Sequence, residues 1–312
     1  MTRKNPEPWN GRNDGPGAEN ARWHNTIVDW TPGVAAGSAL LGFASDEGVR
    51  RNKGRVGAHA GPGALRAALS SLALHRPVAL YDAGDVVVEG QDLESGQEQF
   101  ASALASLLAD GHFTVGLGGG HEITFASYAG VARALGDDGQ WSLGILNIDA
   151  HFDLRDEDQA SSGTGFAQIA RAEAAAGRTF HYAAVGISEG ANTKVLFDRA
   201  HALGVKTLLD TECHMANIGR VRDFVVEFAK SVDHLYLTVD LDALPASVAP
   251  GVSAPAGYGI GLDVVREVVL AAAGSGKLVH ADIAELNPDF DVDQRTARTA
   301  ARLINDLILN RG

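Results

Sequence analysis

Eight apolar runs, separated by stretches of helical pattern, constrain this chain more than any other feature. They are 39–43, 77–81, 113–117, 141–148, 180–187, 205–209, 234–239 and 278–283. A strand with one face in water alternates apolar and polar residues. A run that is apolar at nearly every position must be covered on both faces, which is the signature of a parallel sheet between helices. The intervening segments 61–72, 95–109, 123–134, 165–175, 192–202, 221–230 and 262–273 read as helices, with 293–309 as the last. The predicted fold is therefore α/β, with a mostly parallel eight-stranded sheet. With 312 residues, 45% hydrophobic, the chain can bury one large core. No Pro-rich or Ser-rich linker and no internal repeat divides it, so residues 1–312 are expected to form a single domain. The first 37 or so residues, rich in Gly, Asn and Pro, read as an irregular arm, and Trp9, Trp23 and Trp30 predict that it packs on the body.

Three of the runs end in chemistry. The run 141–148 closes on Asp149-Ala150-His151-Phe152-Asp153, the run 234–239 on Asp240-Leu241-Asp242, and the run 113–117 on Gly118-Gly119-Gly120-His121-Glu122. Residues two apart on an extended chain point the same way, so each acidic pair can face one point. Taken singly, an Asp-x-Asp is often a turn or a helix cap, and a Gly-Gly-Gly-His a flexible turn. Together they lie at the C-terminal ends of strands, where open α/β sheets place their ligands. Buried carboxylates are costly without cations. Four Asp and two His are too many donors for one ion and suit two divalent ions. Carboxylate, imidazole and water favour Mn2+.

The net charge of −13 argues against a nucleic-acid partner, and two bound cations would offset part of it. Cys213 is the only cysteine, which excludes an intramolecular disulfide and a Cys-based zinc site. The start, Met1-Thr2-Arg3-Lys4-Asn5-Pro6, has no apolar signal region, and no run is long enough to span a membrane. The expectation is a cytoplasmic protein with a small-molecule substrate, no membrane partner and a homo-oligomeric assembly.

The motifs GGGHE (118–122), NIDAHFD (147–153) and VDLDALPASVAPGVSAP (239–255) resemble those of the ureohydrolases, the arginase and agmatinase superfamily. The resemblance runs from about residue 40 onward and implies the three-layer α/β/α arginase-like fold. It implies that His121, Asp149, Asp153 and Asp240 hold one Mn2+, and Asp149, His151, Asp240 and Asp242 a second. Asp149 and Asp240 would then bridge two ions per chain that share one activated water. It also implies that Glu285, after the last run, receives the cationic nitrogens of the substrate. Glu122 is read as a brace for the turn, and Asp282 as support for a ligand.

Within the superfamily, the stretch Phe152 to Arg155 followed by Ser161-Ser162-Gly163-Thr164 resembles the formimidoylglutamases. These hydrolyse N-formimidoyl-L-glutamate to L-glutamate and formamide in histidine degradation. Arginases and agmatinases carry a proton-shuttling histidine where this chain has Ser162, and a serine cannot replace it near neutral pH. Gly165 stands where the family has proline. A dicarboxylate substrate needs cations, and Arg155 and the basic loop carrying Arg50, Arg51, Asn52, Lys53 and Arg55 are candidates. Arg155, Arg51, Asn52, Arg55 and Ser162 are accordingly the expected substrate contacts. An agmatinase-like activity on guanidino compounds is the first alternative, disfavoured by Ser162 and by agmatine's lack of a carboxylate. A non-catalytic metal-binding partner on the same fold is the second, disfavoured by the complete ligand set.

Overall fold

The structure, a computed structural model, describes residues 9–136 and 141–311. The 1–6 stretch read above, and with it the start of the arm, lies outside the described residues. The strands are β1 (Val28–Asp29), β2 (Ser38–Ala44), β3 (Leu80–Val87), β4 (Phe113–Leu117), β5 (Leu143–Ile148), β6 (His181–Ile187), β7 (Lys206–Leu209), β8 (His234–Asp240) and β9 (Leu278–Ala284). They form one sheet in the order β1-β3-β2-β4-β9-β8-β5-β6-β7, with every neighbouring pair parallel. The helices are α1 (Trp23–Thr26), α2 (Glu47–Arg51), α3 (Gly61–Ser70), α4 (Leu93–Ala109), α5 (Ile123–Leu135), α6 (Gly165–Ala175), α7 (Lys194–Ala202), α8 (Ile218–Lys230), α9 (Leu262–Ala273) and α10 (Arg295–Asn310). None among the described residues is long and apolar enough to cross a membrane.

The continuous apolar runs have the predicted cause. Leu235, Leu237 and Val239 of β8 face one core with α3, α8, α9 and α10, while Tyr236 between them faces the other core with α4, α5 and α6. In β5, Leu146 and Ile148 join the first core and Leu143 and Ile145 the second. These two strands are almost wholly apolar because helices cover both sides.

Three elements differ from expectation. The ninth strand, β1, is a two-residue exposed edge within the arm, too short to leave a sequence pattern. The strand expected at 77–81 is β3, which runs on to Val87 through Asp82 and Asp85. An apolar criterion cuts it off at Asp82, yet that carboxylate is buried at no unmet cost. Arg66 of α3 donates to it from Nε (2.8 Å) and Nη2 (2.9 Å), and the Trp9 indole adds a third bond at 2.8 Å. The basic loop is in its first half the helix α2. As expected, the arm's tryptophans pack on the body. Trp23 is fully buried and donates to Asn305 of α10 (2.9 Å), and Trp30 reaches His112 (3.2 Å).

Four adjacent strands in the middle of the sheet, β4, β9, β8 and β5, end side by side, and the motif residues sit on those four ends.

Candidate dinuclear metal centre

The turn after β4 brings His121 inward. Its three glycines are required by close approach, since none has positive φ. A Cβ on Gly119 would lie 1.8 Å from the Ser45 carbonyl oxygen, and one on Gly118 2.5 Å from that of Ile283. The backbone thus runs against β2 and β9, and His121 lands over the end of β5. Its Nδ1 lies 2.9 Å from Asp153, and 3.2 Å from both Asp149 and Asp240. Across Asp149, His151 Nδ1 lies 3.5 Å from Asp149 and 3.1 Å from Asp242.

These side chains form two groups whose ligand-type atoms converge, His121–Asp149–Asp153–Asp240 and Asp149–His151–Asp242. All six expected ligands are brought together. Asp149 belongs to both groups, as a bridge must. Asp240 belongs to the first alone, and its Oδ1 accepts the Asp242 amide (2.8 Å).

The electrostatics show what the site can hold. Burial pushes the Asp240 carboxyl well above its usual range, and the charges of Asp242 and Asp149 push it further. Burial likewise raises Asp153, with Asp149 adding to it, and raises Asp242 against the pull of His151. Burial opposes a charged His121, but Asp149, Asp153 and Asp240 outweigh it and hold the imidazole well above its ordinary value. His151 is raised by the charge of Asp242, against burial. Asp149 is lowered because the two imidazoles outweigh its burial. One carboxylate oxygen of Asp242 and one of Glu285 are buried without a hydrogen-bond partner. Mutually raised buried acids, two imidazoles and orphaned oxygens fit a pair of hard divalent cations, and the absence of thiolate disfavours structural zinc.

Outer residues hold this set in place. Asn147 donates to Asp149 Oδ2 (3.0 Å) and the His151 amide to Oδ1 (2.7 Å). Thr238 Oγ1 lies 2.9 Å from His121 Nε2, fixing the ring so that Nδ1 faces the carboxylates. Asp282 accepts from Ser127 and Tyr236, both at 2.6 Å, and its pKa is lowered because the His280 contact outweighs burial. Glu122 is the expected brace. It accepts from Ser45 Oγ (2.7 Å) and the Gly48 amide (3.0 Å), tying α2 to the His121 turn. Sequence reasoning passed over Thr238 and Asn147, although each stands two residues before a ligand on the same strand face.

Glu285 follows β9 with φ of 70°, an unfavourable backbone for a residue with a Cβ. Its Oε1 accepts the His121 amide (2.9 Å), which leaves Oε2 free. Burial, with the Glu122 charge, pushes its pKa up to about 8. Asp153, at φ 47°, is left-handed as well.

Above the acids lies a cavity of about 340 Å3 whose outer wall includes Asn52, Lys53, Arg55, Arg155 and Ser162. Asn52 donates to Ser162 Oγ across 3.0 Å. Arg155 is exposed and makes no ion pair among the described residues; its side chain runs along Gly163, where a Cβ would lie 3.1 Å from its Cδ. The other two arginines are engaged elsewhere. Arg51 does not line the cavity; its guanidinium is held by Glu47 (2.9 Å), Glu94 (2.6 Å) and two carbonyls. Arg55 lines it but donates to the carbonyls of Ser253 (3.0 Å) and Val252 and stacks on Phe290 (4.0 Å). It is a strut for the loop after β8. A further wall residue, Asn192, was missed. It accepts the Phe152 amide (3.0 Å) and donates to the Ala150 carbonyl (2.8 Å), clamping the ligand segment.

A central parallel sheet with a two-cation acidic centre at its strand ends defines a class of metal-dependent hydrolase, and the comparisons agree. The arginase family model matches residues 36–309, and the chain belongs to the arginase family. Among curated relatives it is 52% identical to the formimidoylglutamase of Rhodococcus opacus, over 98% of this chain and 96% of that one. It is 47% identical to the formimidoylglutamase of Chromobacterium violaceum, over 95% of each. The crystal structure of Trypanosoma cruzi formiminoglutamase with Mn2+2 superposes with a TM-score of 0.79 at 26% identity, covering 88% of this chain and 93% of that one. The formimidoylglutamase of Bacillus subtilis shares the fold, with a TM-score of 0.84 at 23% identity over 96% and 93% of the two chains.

Proposed function

We propose that this protein hydrolyses N-formimidoyl-L-glutamate to L-glutamate and formamide, a step of histidine degradation, with two Mn2+ ions per chain. The observation that carries this reading is the polarity of one cavity, which has an acidic floor and a basic, hydrogen-bonding outer wall. The substrate has the matching shape, with a cationic amidine at one end and two carboxylates at the other. The formimidoylglutamase relatives over nearly the whole chain support the same choice.

His121, Asp149, Asp153 and Asp240 would hold one ion, and Asp149, His151 and Asp242 the other. When bound, two divalent ions supply the Lewis acidity that brings a water's pKa toward neutrality. Glu285, with its free Oε2 at the cavity floor, accepts hydrogen bonds from the amidine nitrogens and turns the C=N carbon toward the aspartates. Hydrolysis adds water to that carbon, breaks its bond to the glutamate nitrogen and releases formamide. Ser162, which accepts a hydrogen bond from Asn52, shapes the wall and shuttles no proton near neutral pH. Arg155, without an ion pair among the described residues, receives a carboxylate of the substrate at the mouth.

The test is to assay the Mn2+-loaded protein against formimidoylglutamate, arginine, agmatine and guanidinobutyrate side by side. Formimidoylglutamate is expected to be hydrolysed fastest, by a factor of a hundred or more on the order of what an unmatched charged partner costs. A larger kcat/KM for arginine or agmatine would overturn the substrate and leave the family.

A further inference from the structure

Lys53 is placed where a lysine is unfavourable. Helix α2 ends in a double hydrogen-bonded turn: the Lys53 amide donates to the Arg50 carbonyl (3.0 Å) and the Gly54 amide to that of Val49 (2.8 Å). This closure requires a left-handed residue at its centre, a position glycine takes most often. Here it is Lys53, at φ 62°. The glycine stands one place later, for another reason. Gly54 does not have positive φ, and a Cβ on it would lie 2.4 Å from Ser253 Oγ. The chain thus keeps a glycine where space demands one and a lysine where backbone conformation argues for glycine.

A retained unfavourable conformation at the mouth of a site invites a functional reading, and the surroundings supply it. Lys53 is exposed, lines the same cavity as Arg155, and its ammonium has no partner among the described residues. Of the cations on that wall, Arg55 is spent on loop carbonyls. Two cations therefore face the mouth unpaired, and the proposed substrate brings two carboxylates.

We infer that Lys53 is a specificity-determining residue, reading the second carboxylate of a dicarboxylate amidine while Arg155 reads the first. The inference rests on the proposed substrate. Lys53 takes the left-handed position at the end of α2 and lines the cavity with Arg155; a right-handed residue there would continue the helix.

The test uses Lys53→Gly and Lys53→Asn, both compatible with a left-handed backbone, with Lys53→Arg as the charge-keeping control. Each is assayed as the Mn2+-loaded protein on formimidoyl-L-glutamate and on formimidoyl-L-alanine, which lacks the second carboxylate. Lys53→Gly and Lys53→Asn are expected to raise KM for the glutamate substrate roughly tenfold and to leave KM for the alanine analogue within about twofold. Lys53→Arg should retain most of the affinity. Lys53→Gly is also expected to raise Tm by about 2–4 °C, because the strained residue is gone. A lysine with a purely structural role would not separate the substrates or set stability against affinity. An unchanged KM for formimidoylglutamate in both variants overturns the role of Lys53. Failure of the unsubstituted protein to hydrolyse formimidoylglutamate overturns the substrate reading itself.

Discussion

The floor and the rim of this cavity are built by opposite means. The floor is made of side chains that leave the ends of β4, β5 and β8 within a few residues of the last ladder position. The strand ends of a sheet buried on both faces set their positions, and short turns aim them, Asp242 from a 3-10 turn and Asp153 from a left-handed backbone. The rim is made of segments around residues 52–55, 155–163 and 244–259, whose side chains are aimed by contacts with one another. Asn52 meets Ser162, 110 positions away, and Arg55 meets Ser253, 198 away. A rigid floor suits metal ions, whose ligand geometry tolerates little error. A rim of cross-braced loops suits a choice among substrates.

The sharpest break in this comparison comes from the floor. Asp149→Ala removes the residue common to both groups and is expected to strip both ions and lower kcat/KM by roughly a thousandfold or more. Elemental analysis after loading with excess Mn2+ reads the first effect. Asp240→Ala sharpens the point, because Asp240 belongs to one group only. It is expected to leave one ion per chain, held by Asp149, His151 and Asp242, and retention of two would place the bridge elsewhere.

Glu285→Gln comes next. It keeps the size and the contact with the His121 amide but puts an amide donor where the free acceptor Oε2 stood, so kcat/KM should fall roughly a hundredfold with metal content unchanged. Loss of metal in this variant would make Glu285 a structural support of the His121 turn.

The third effect is one of pH. In the ion-free floor both imidazoles are held above their ordinary values by the carboxylates beside them, which means that they carry protons near neutrality. An ion takes only the neutral ring, so loading must release those protons. Affinity for Mn2+ is expected to fall as pH drops from about 8 toward about 6, with proton release measurable by titration calorimetry in buffers of different ionisation enthalpy. Binding without proton release would mean that the rings are neutral before the ion arrives.

The rim gives the smallest effects. Arg155→Ala is expected to raise KM for formimidoylglutamate roughly tenfold with both ions retained. Arg55→Ala, which frees the carbonyls of Val252 and Ser253, should lower stability by about 1–2 kcal/mol. It should raise KM less than Arg155→Ala does, as read from chemical denaturation and initial rates. Were Arg55→Ala the more damaging to KM, Arg55 would be a substrate contact and the division of labour on the rim would be reversed.

The sequence by itself determined the sheet and the candidates for the floor. Apolar runs without alternation point to strands covered on both faces, and acids and histidines gather on their C-terminal ends. The acids and histidines at those run ends were legible as candidates, and helices such as α6 and α9 lie at their predicted bounds; their convergence belongs to the tertiary structure, because Asp153 is left-handed, Asp242 lies in a 3-10 turn and His121 reaches in from the turn after β4. The tertiary structure alone decided what the rim's arginines do. Arg51, Arg55 and Arg155 look alike as letters. Arg51 is claimed by Glu94, 43 positions on, Arg55 by carbonyls nearly 200 positions on, and Arg155 by no acid among the described residues. Local spacing sets the direction of a side chain on a strand. A long flexible cation takes its role from whichever partner the fold brings within reach, and that partner is written elsewhere in the chain.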